Sequence, residues 1–246
     1  MPGPPPFAGT IFIDPDIITV ADPTTFQSLS HAGQASRTMF DRRVNDWITV
    51  DAWLFDASFD DGLTAEIQVN PEFGSAAPLL GAGQYAEVIG RLPTTLRRDV
   101  ETVWIHRGTQ PFGGGNNNLL IHVGQAALYV DDGILEGTLV HEAAHTSLDA
   151  VHAAAPGWLA AQSADGTFIS TYARDHPGRE DIAESFLRDL AVRYRGGPDL
   201  AGPCRHHTAN DCEPVGLLRQ SELRDVPDQA GAAGDRETDR SAHMIA

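Results

Sequence analysis

The sequence predicts an α+β fold, with a small, mostly antiparallel, twisted sheet and separate helices. Three observations carry this. Runs such as Trp47-Ile48-Thr49-Val50-Asp51-Ala52-Trp53-Leu54-Phe55 and Thr64-Ala65-Glu66-Ile67-Gln68-Val69 are β-rich or alternate, and Asp60-Asp61-Gly62 between them reads as a hairpin turn. Pro78 to Leu92, residues 135 to 148 and residues 180 to 191 instead place apolar residues at helical spacing. Helices and strands occur in separate blocks rather than in strict alternation.

Taken in order, residues 1–9 read as a proline-rich tail. Thr10-Ile11-Phe12-Ile13 and Ile17-Ile18-Thr19-Val20 are short strand candidates split by Asp14-Pro15-Asp16. The polar segment from Asp22 to Phe40 reads as a loop or a short helix, so residues 1–45 are expected to form an N-terminal extension. A catalytic domain is expected over 46–200, and a partly disordered, Gly-, Pro-, Asp- and Arg-rich tail over 201–246. Within the domain, Val103-Trp104-Ile105-His106 is a strand. Gly113 to Asn118 reads as a flexible loop, because no strand-loop-helix context makes it a phosphate cradle. Leu119 to Val123 and Ala127 to Val130 read as a second hairpin. An edge strand there is a natural shelf for an extended peptide held by main-chain hydrogen bonds.

Composition narrows the function. The 246 residues carry 34 acidic and 17 basic side chains, all the basic ones arginine, for a net charge of −17. Such a surface repels polyanions, so no nucleic-acid partner is expected. No apolar run is long enough for a membrane span. Met1 to Pro6 lacks the basic and apolar regions of a signal peptide. The two cysteines, Cys204 and Cys212, can close a short disulfide loop in an extracellular protein, join His206 and His207 in a second metal site, or stay free.

The chemistry centres on His141-Glu142-Ala143-Ala144-His145. Residues at i and i+4 share a helix face, so both imidazoles can reach one metal ion, and Glu142 sits beside the first of them without being a ligand. Asp131-Asp132-Gly133 supplies a polar helix start, and Ile134, Leu135, Leu139, Val140 and Leu148 an apolar face. A third ligand has three candidates. A histidine on the same segment would need glycine at 148 and histidine at 151, where the chain has Leu148 and Val151; His152 falls one position late. Asp149 continues the face of His145, but a helix rising about 1.5 Å per residue carries it too far to share one small ion. It suits a supporting role on the other ring nitrogen, or simple solvation. The third candidate is Glu180, one turn before Glu184, on a helix that also carries Ile182, Phe186 and Leu190. Alone, these carboxylates also fit an ordinary solvated helix face.

The H-E-x-x-H segment with Asp149, then Tyr172-Ala173, then Glu180-Asp181-Ile182-Ala183-Glu184-Ser185-Phe186 resembles the anthrax lethal factor-like zinc metallopeptidases, a branch of the gluzincins, over about Leu135 to Tyr194. The resemblance implies a zincin-like fold in which the helix at 78–92 backs the sheet. It implies Zn²⁺ held by His141, His145 and Glu180, with Glu142 as general base and Tyr172 steadying the oxyanion; His176 is a second candidate donor. Asp149 and Glu184 would support the ligands. The function then expected is endopeptidase cleavage of an extended peptide or protein substrate by a secreted or extracellular enzyme. The alternative is an inactive zincin-like module presenting its sheet edge to a protein partner.

Overall fold

The computed structural model describes residues 3–10, 18–74 and 78–194. Its strands are β1 (Phe26–Asp41), β2 (Asp46–Phe59), β3 (Thr64–Val69), β4 (Thr102–His106), β5 (Gly113–Gly115) and β6 (Asn118–His122). Its helices are α1 (Pro78–Ile89), α2 (Thr94–Arg97), α3 (Val123–Asp131), α4 (Leu135–Ser147), α5 (Asp149–His152), α6 (Pro156–Ala164), α7 (Thr171–Asp175) and α8 (Asp181–Tyr194). The fold is α+β around one six-stranded open sheet in the order β1-β2-β3-β4-β6-β5. The sheet is mixed: the β1–β2, β2–β3 and β5–β6 pairings are antiparallel, and the two central ones, β3–β4 and β4–β6, are parallel.

The β2–β3 hairpin forms where the Asp60-Asp61-Gly62 turn predicts it, with Gly62 at φ 85° and its N–H donating to the Phe59 carbonyl. Arg97, nearly buried, pairs with Asp61 there and ties the turn to α2. Residues of one parity on the strands (Phe55, Ile67, Val103, Ile105, Leu119, Ile121) face α1, α4 and α8 and make a single large core with Leu139, Ala143, Ile182 and Phe186. Each of the larger side chains contributes roughly 1.5–3 kcal/mol on burial, so α4 and α8 are held chiefly by apolar contact. The opposite face carries a smaller cluster of Met39, Ala52 and Leu54 packed with Trp104. The end of the β1–β2 hairpin folds across this second face. Trp47 meets Trp104 edge to face, with ring centroids 5.4 Å apart, and Asp41 Oδ1 lies 3.9 Å from His122 Nε2.

Five expectations are corrected. Residues 26–41 form a strand rather than a loop or short helix, so the sheet begins inside the stretch expected to be an extension up to residue 45. Ala127 to Val130 belongs to α3 and not to a strand; its apolar run has no alternation, and Leu128 and Val130 stay exposed on the helix. The Gly113 to Asn118 stretch is the real hairpin. Asn116 and Asn117, at φ 52° and 58°, make a two-residue turn closed by the Gly115–Asn118 pair, a conformation that asparagine tolerates better than other side chains. The proline-rich start is docked: the Thr171 N–H donates to the Phe7 carbonyl at 2.9 Å, and the Phe7 ring packs on the main core. Ile18 to Val20 are bend and turn residues rather than strand. Residues 11–17, and the expected tail over 201–246 with Cys204, Cys212, His206 and His207, lie outside the described residues.

Candidate metal centre

α4 follows β6 and α3 and packs against the sheet, so it buries its apolar residues and, with them, Thr138, His141, Thr146 and Ser147. The Thr146 and Ser147 hydroxyls anchor it to other elements. Ser147 Oγ donates to the Leu96 carbonyl at 2.7 Å. Thr146 Oγ1 donates to the Asn118 carbonyl and accepts from the Gly115 N–H, both at 2.8 Å, which pins the β5–β6 hairpin to the helix. β5 lies so close that a Cβ on Gly114 would collide with the Glu142 carbonyl. The glycine run therefore has a steric reason: only a bare backbone can lie on this helix.

On the other side of α4, α8 delivers a carboxylate. Every residue from Glu180 to Ala191 is buried, the polar ones included. Glu180 is 2 % exposed and Glu184 is fully buried, which rules out a solvated face. Glu180 Oε2 lies 3.1 Å from His145 Nε2 and 3.3 Å from His141 Nε2, and the two Nε2 atoms are 3.1 Å apart. Three donor atoms from residues 141, 145 and 180 thus form a small triangle that can hold a metal ion. Tetrahedral coordination with bonds of about 2.0–2.1 Å puts neighbouring ligand atoms about 3.3–3.4 Å apart. The observed edges are within a few tenths of an ångström of that value, and two imidazoles with one carboxylate are a donor set suited to a borderline cation.

The remaining expected residues surround this triangle. His145 Nδ1 meets Asp149 Oδ2 at 2.8 Å, and His141 Nδ1 lies 3.5 Å from Glu184 Oε1. Each ring thus has a carboxylate behind it, the arrangement that turns the far nitrogen toward a metal. Asp149 does not continue a straight helix: Leu148 (φ −113°) separates α4 from α5, and Asp149 still reaches the ring from the first turn of α5. Tyr172, on α7 behind a Ser170 cap, donates its hydroxyl to Glu180 Oε1 at 3.1 Å. Arg179 Nη2 lies 3.2 Å from the same oxygen. His176 is exposed, its ring 5.1 Å from that of Tyr172, and His152 lies in the last turn of α5. Glu142 is half-buried, and its charge is felt at His145, Tyr172 and Tyr129.

Electrostatics match the geometry. Burial works against a charged His145, but the hydrogen bonds to Asp149 and Glu180 outweigh it and raise the ring to about 10. Burial alone would raise Glu180, but its hydrogen bonds with His141 and His145 hold its carboxyl well below the usual range. The cluster therefore binds positive charge tightly. Burial, then the Glu180 charge, pushes the Tyr172 phenol upward, which keeps it a neutral donor.

Sequence reasoning missed β5 as the strand beside the site, although a glycine run followed by an asparagine pair was its signal. It also passed over Arg42, whose guanidinium lies against Gly113. Comparisons with protein-family models, with curated proteins and with solved structures gave no match.

Proposed function

We propose that this chain is a zinc-dependent endopeptidase of the zincin type, resembling the anthrax lethal factor-like group. The observation that carries the reading is the triangle of His141, His145 and Glu180 donors with edges of 3.1–3.3 Å, each histidine backed by a carboxylate. His141, His145 and Glu180 would hold Zn²⁺, which when bound supplies a Lewis acid and lowers the pKa of a coordinated water. Glu142, next to the first histidine on the helix and partly open to solvent, accepts the proton of the attacking water and passes it to the leaving amine. Tyr172 is placed by α7 with its hydroxyl at the edge of the donor cluster, where it donates a hydrogen bond to the carbonyl oxygen as charge develops there. β5, an antiparallel edge strand lying on the active helix, supplies a main-chain ladder for an extended substrate.

The test is metal analysis alongside chelator-sensitive cleavage of casein. Glu142→Gln should retain the metal and lose hydrolysis by about 10²–10⁴-fold. His141→Ala and Glu180→Ala should lose both. A Glu180→Ala protein with full metal content and activity would end the assignment.

A further inference from the structure

On the face of β5 away from α4 lies a pocket of about 540 Å³, walled by Gly113, Gly114 and Gly115 and by Arg42, Trp47 and Trp104. Among the described residues, Arg42 is its one charged lining group, and no acidic residue lines it. Arg42 is exposed and makes no hydrogen bond or ion pair with the described residues. This is unusual in a chain of net charge −17, where Arg37, Arg43, Arg91 and Arg97 each pair with a carboxylate. The guanidinium lies close to the edge strand: a Cβ on Gly113 would fall 2.8 Å from Arg42 Nη2.

The pleat of β5 decides what can reach this pocket. The Cβ direction of Gly114 points at Glu142, and that of Gly113 points at Arg42. A peptide paired to the strand continues the pleat, so its alternate side chains project to the helix side and to the Arg42 side. The two sides are separated only by the strand itself, since Gly113 and Gly114 are consecutive residues of β5. We infer that the pocket beside β5 is a specificity site that takes an Asp or Glu side chain of an extended peptide, with Arg42 pairing to its carboxylate and Trp47 and Trp104 covering its stem.

The overall negative charge of the chain does not oppose this. Exposed charges beyond about 8 Å are largely screened at physiological salt, whereas the contact pair is not. An uncharged side chain would cover the guanidinium and leave it unpaired, which is costly. The inference rests on the peptidase reading for its substrate, but its test needs no cleavage. Full-length Glu142→Gln protein loaded with zinc is titrated into fluorescein-labelled, end-blocked heptapeptides of Ala and Gly. One Glu is scanned through the positions, with Gln peptides as controls, and binding is read by anisotropy. Glu should bind about tenfold tighter than Gln at positions two apart and show no advantage between them, as a charged hydrogen bond on one face of a strand requires. Arg42→Gln should remove that difference, and Arg42→Lys should restore part of it. Thermal melts check that both variants fold. No binding, no Glu preference at any position, or a preference that survives Arg42→Gln would each overturn the inference. Acid-selective binding without hydrolysis by the unsubstituted chain would keep this site and defeat the peptidase reading; hydrolysis without acid preference would do the reverse.

Discussion

Glu180 Oε2 sits 3.1 Å from His145 Nε2, across a sequence separation of 35 residues. A carboxylate 2 % exposed cannot be held there by local structure. Its position follows from the apolar packing of α8 on α4, through Ile182, Ala183, Phe186 and Leu187. Several ionisable groups are thereby buried together, at a cost that is offset only when each finds a partner. The consequences can be measured.

Tyr172→Phe removes the hydroxyl 3.1 Å from Glu180 Oε1 without removing any of the three donor atoms. On the peptidase reading proposed above, turnover of a peptide substrate should fall by about 10²–10³-fold, the usual effect of losing one oxyanion donor. Metal content after dialysis should change little. A variant that lost its metal instead would show that the hydroxyl serves only to hold Glu180.

Asp149→Ala and Glu184→Ala each remove the carboxylate behind one imidazole. Each should weaken metal affinity by about 10–100-fold, in the range known for such supporting groups. Competition with a chromophoric chelator measures this directly. Asp149→Asn, which still accepts a hydrogen bond, should recover part of the loss.

His106 is fully buried and lies under the end of the β1–β2 hairpin, beside His122. Burial, aided by the His122 and Arg43 charges against that of Asp41, pushes its ring down to about 4. The Asn70 side chain suits a neutral ring: its Oδ1 accepts from the Glu72 N–H, which leaves the amide NH₂ to face His106 Nδ1 at 3.0 Å, a contact that only an unprotonated Nδ1 can accept. The unfolded chain binds this proton near 6.5 and the folded chain near 4, so the stability contributed is complete above about 6.5 and is lost as pH falls through 4. The full loss is about 3 kcal/mol. Urea unfolding at pH 7 and pH 4.5 should show most of it, and His106→Gln should flatten the difference.

Gly114→Ala places a methyl group into the Glu142 carbonyl. Because backbone meets backbone, neither side can yield as a flexible side chain would. Overpacking of this kind costs about 1–3 kcal/mol, read as a lower urea midpoint. Gly115→Ala meets no neighbour but must hold φ 115°, so it should destabilise through backbone strain instead.

Local rules exposed part of this molecule before any coordinates. The helix at 78–89, the hairpin at Asp60-Asp61-Gly62 and the strand ending at His106 were legible because turn chemistry and apolar spacing agree there. β1 was not legible. Most of its side chains remain at least partly exposed until Met39 and Asp41, so no clean alternation marks it. β5 was hidden for the opposite reason, since close contact with α4 demands glycine, the residue that strand propensity disfavours.

By itself the sequence determined that His141 and His145 share a helix face with Glu142 beside them, because 3.6-residue periodicity is a property of neighbours along the chain. It excluded His152, one position late, and Asp149, too far along the helix, and left Glu180 open against an ordinary solvated face, with the family resemblance favouring it as the ligand. Only the tertiary structure decided which carboxylate completes a triangle with the two Nε2 atoms, which stands behind each ring, and that a glycine strand borders the cluster. Those positions depend on how segments far apart in the chain pack into one core, and no local preference encodes that contact.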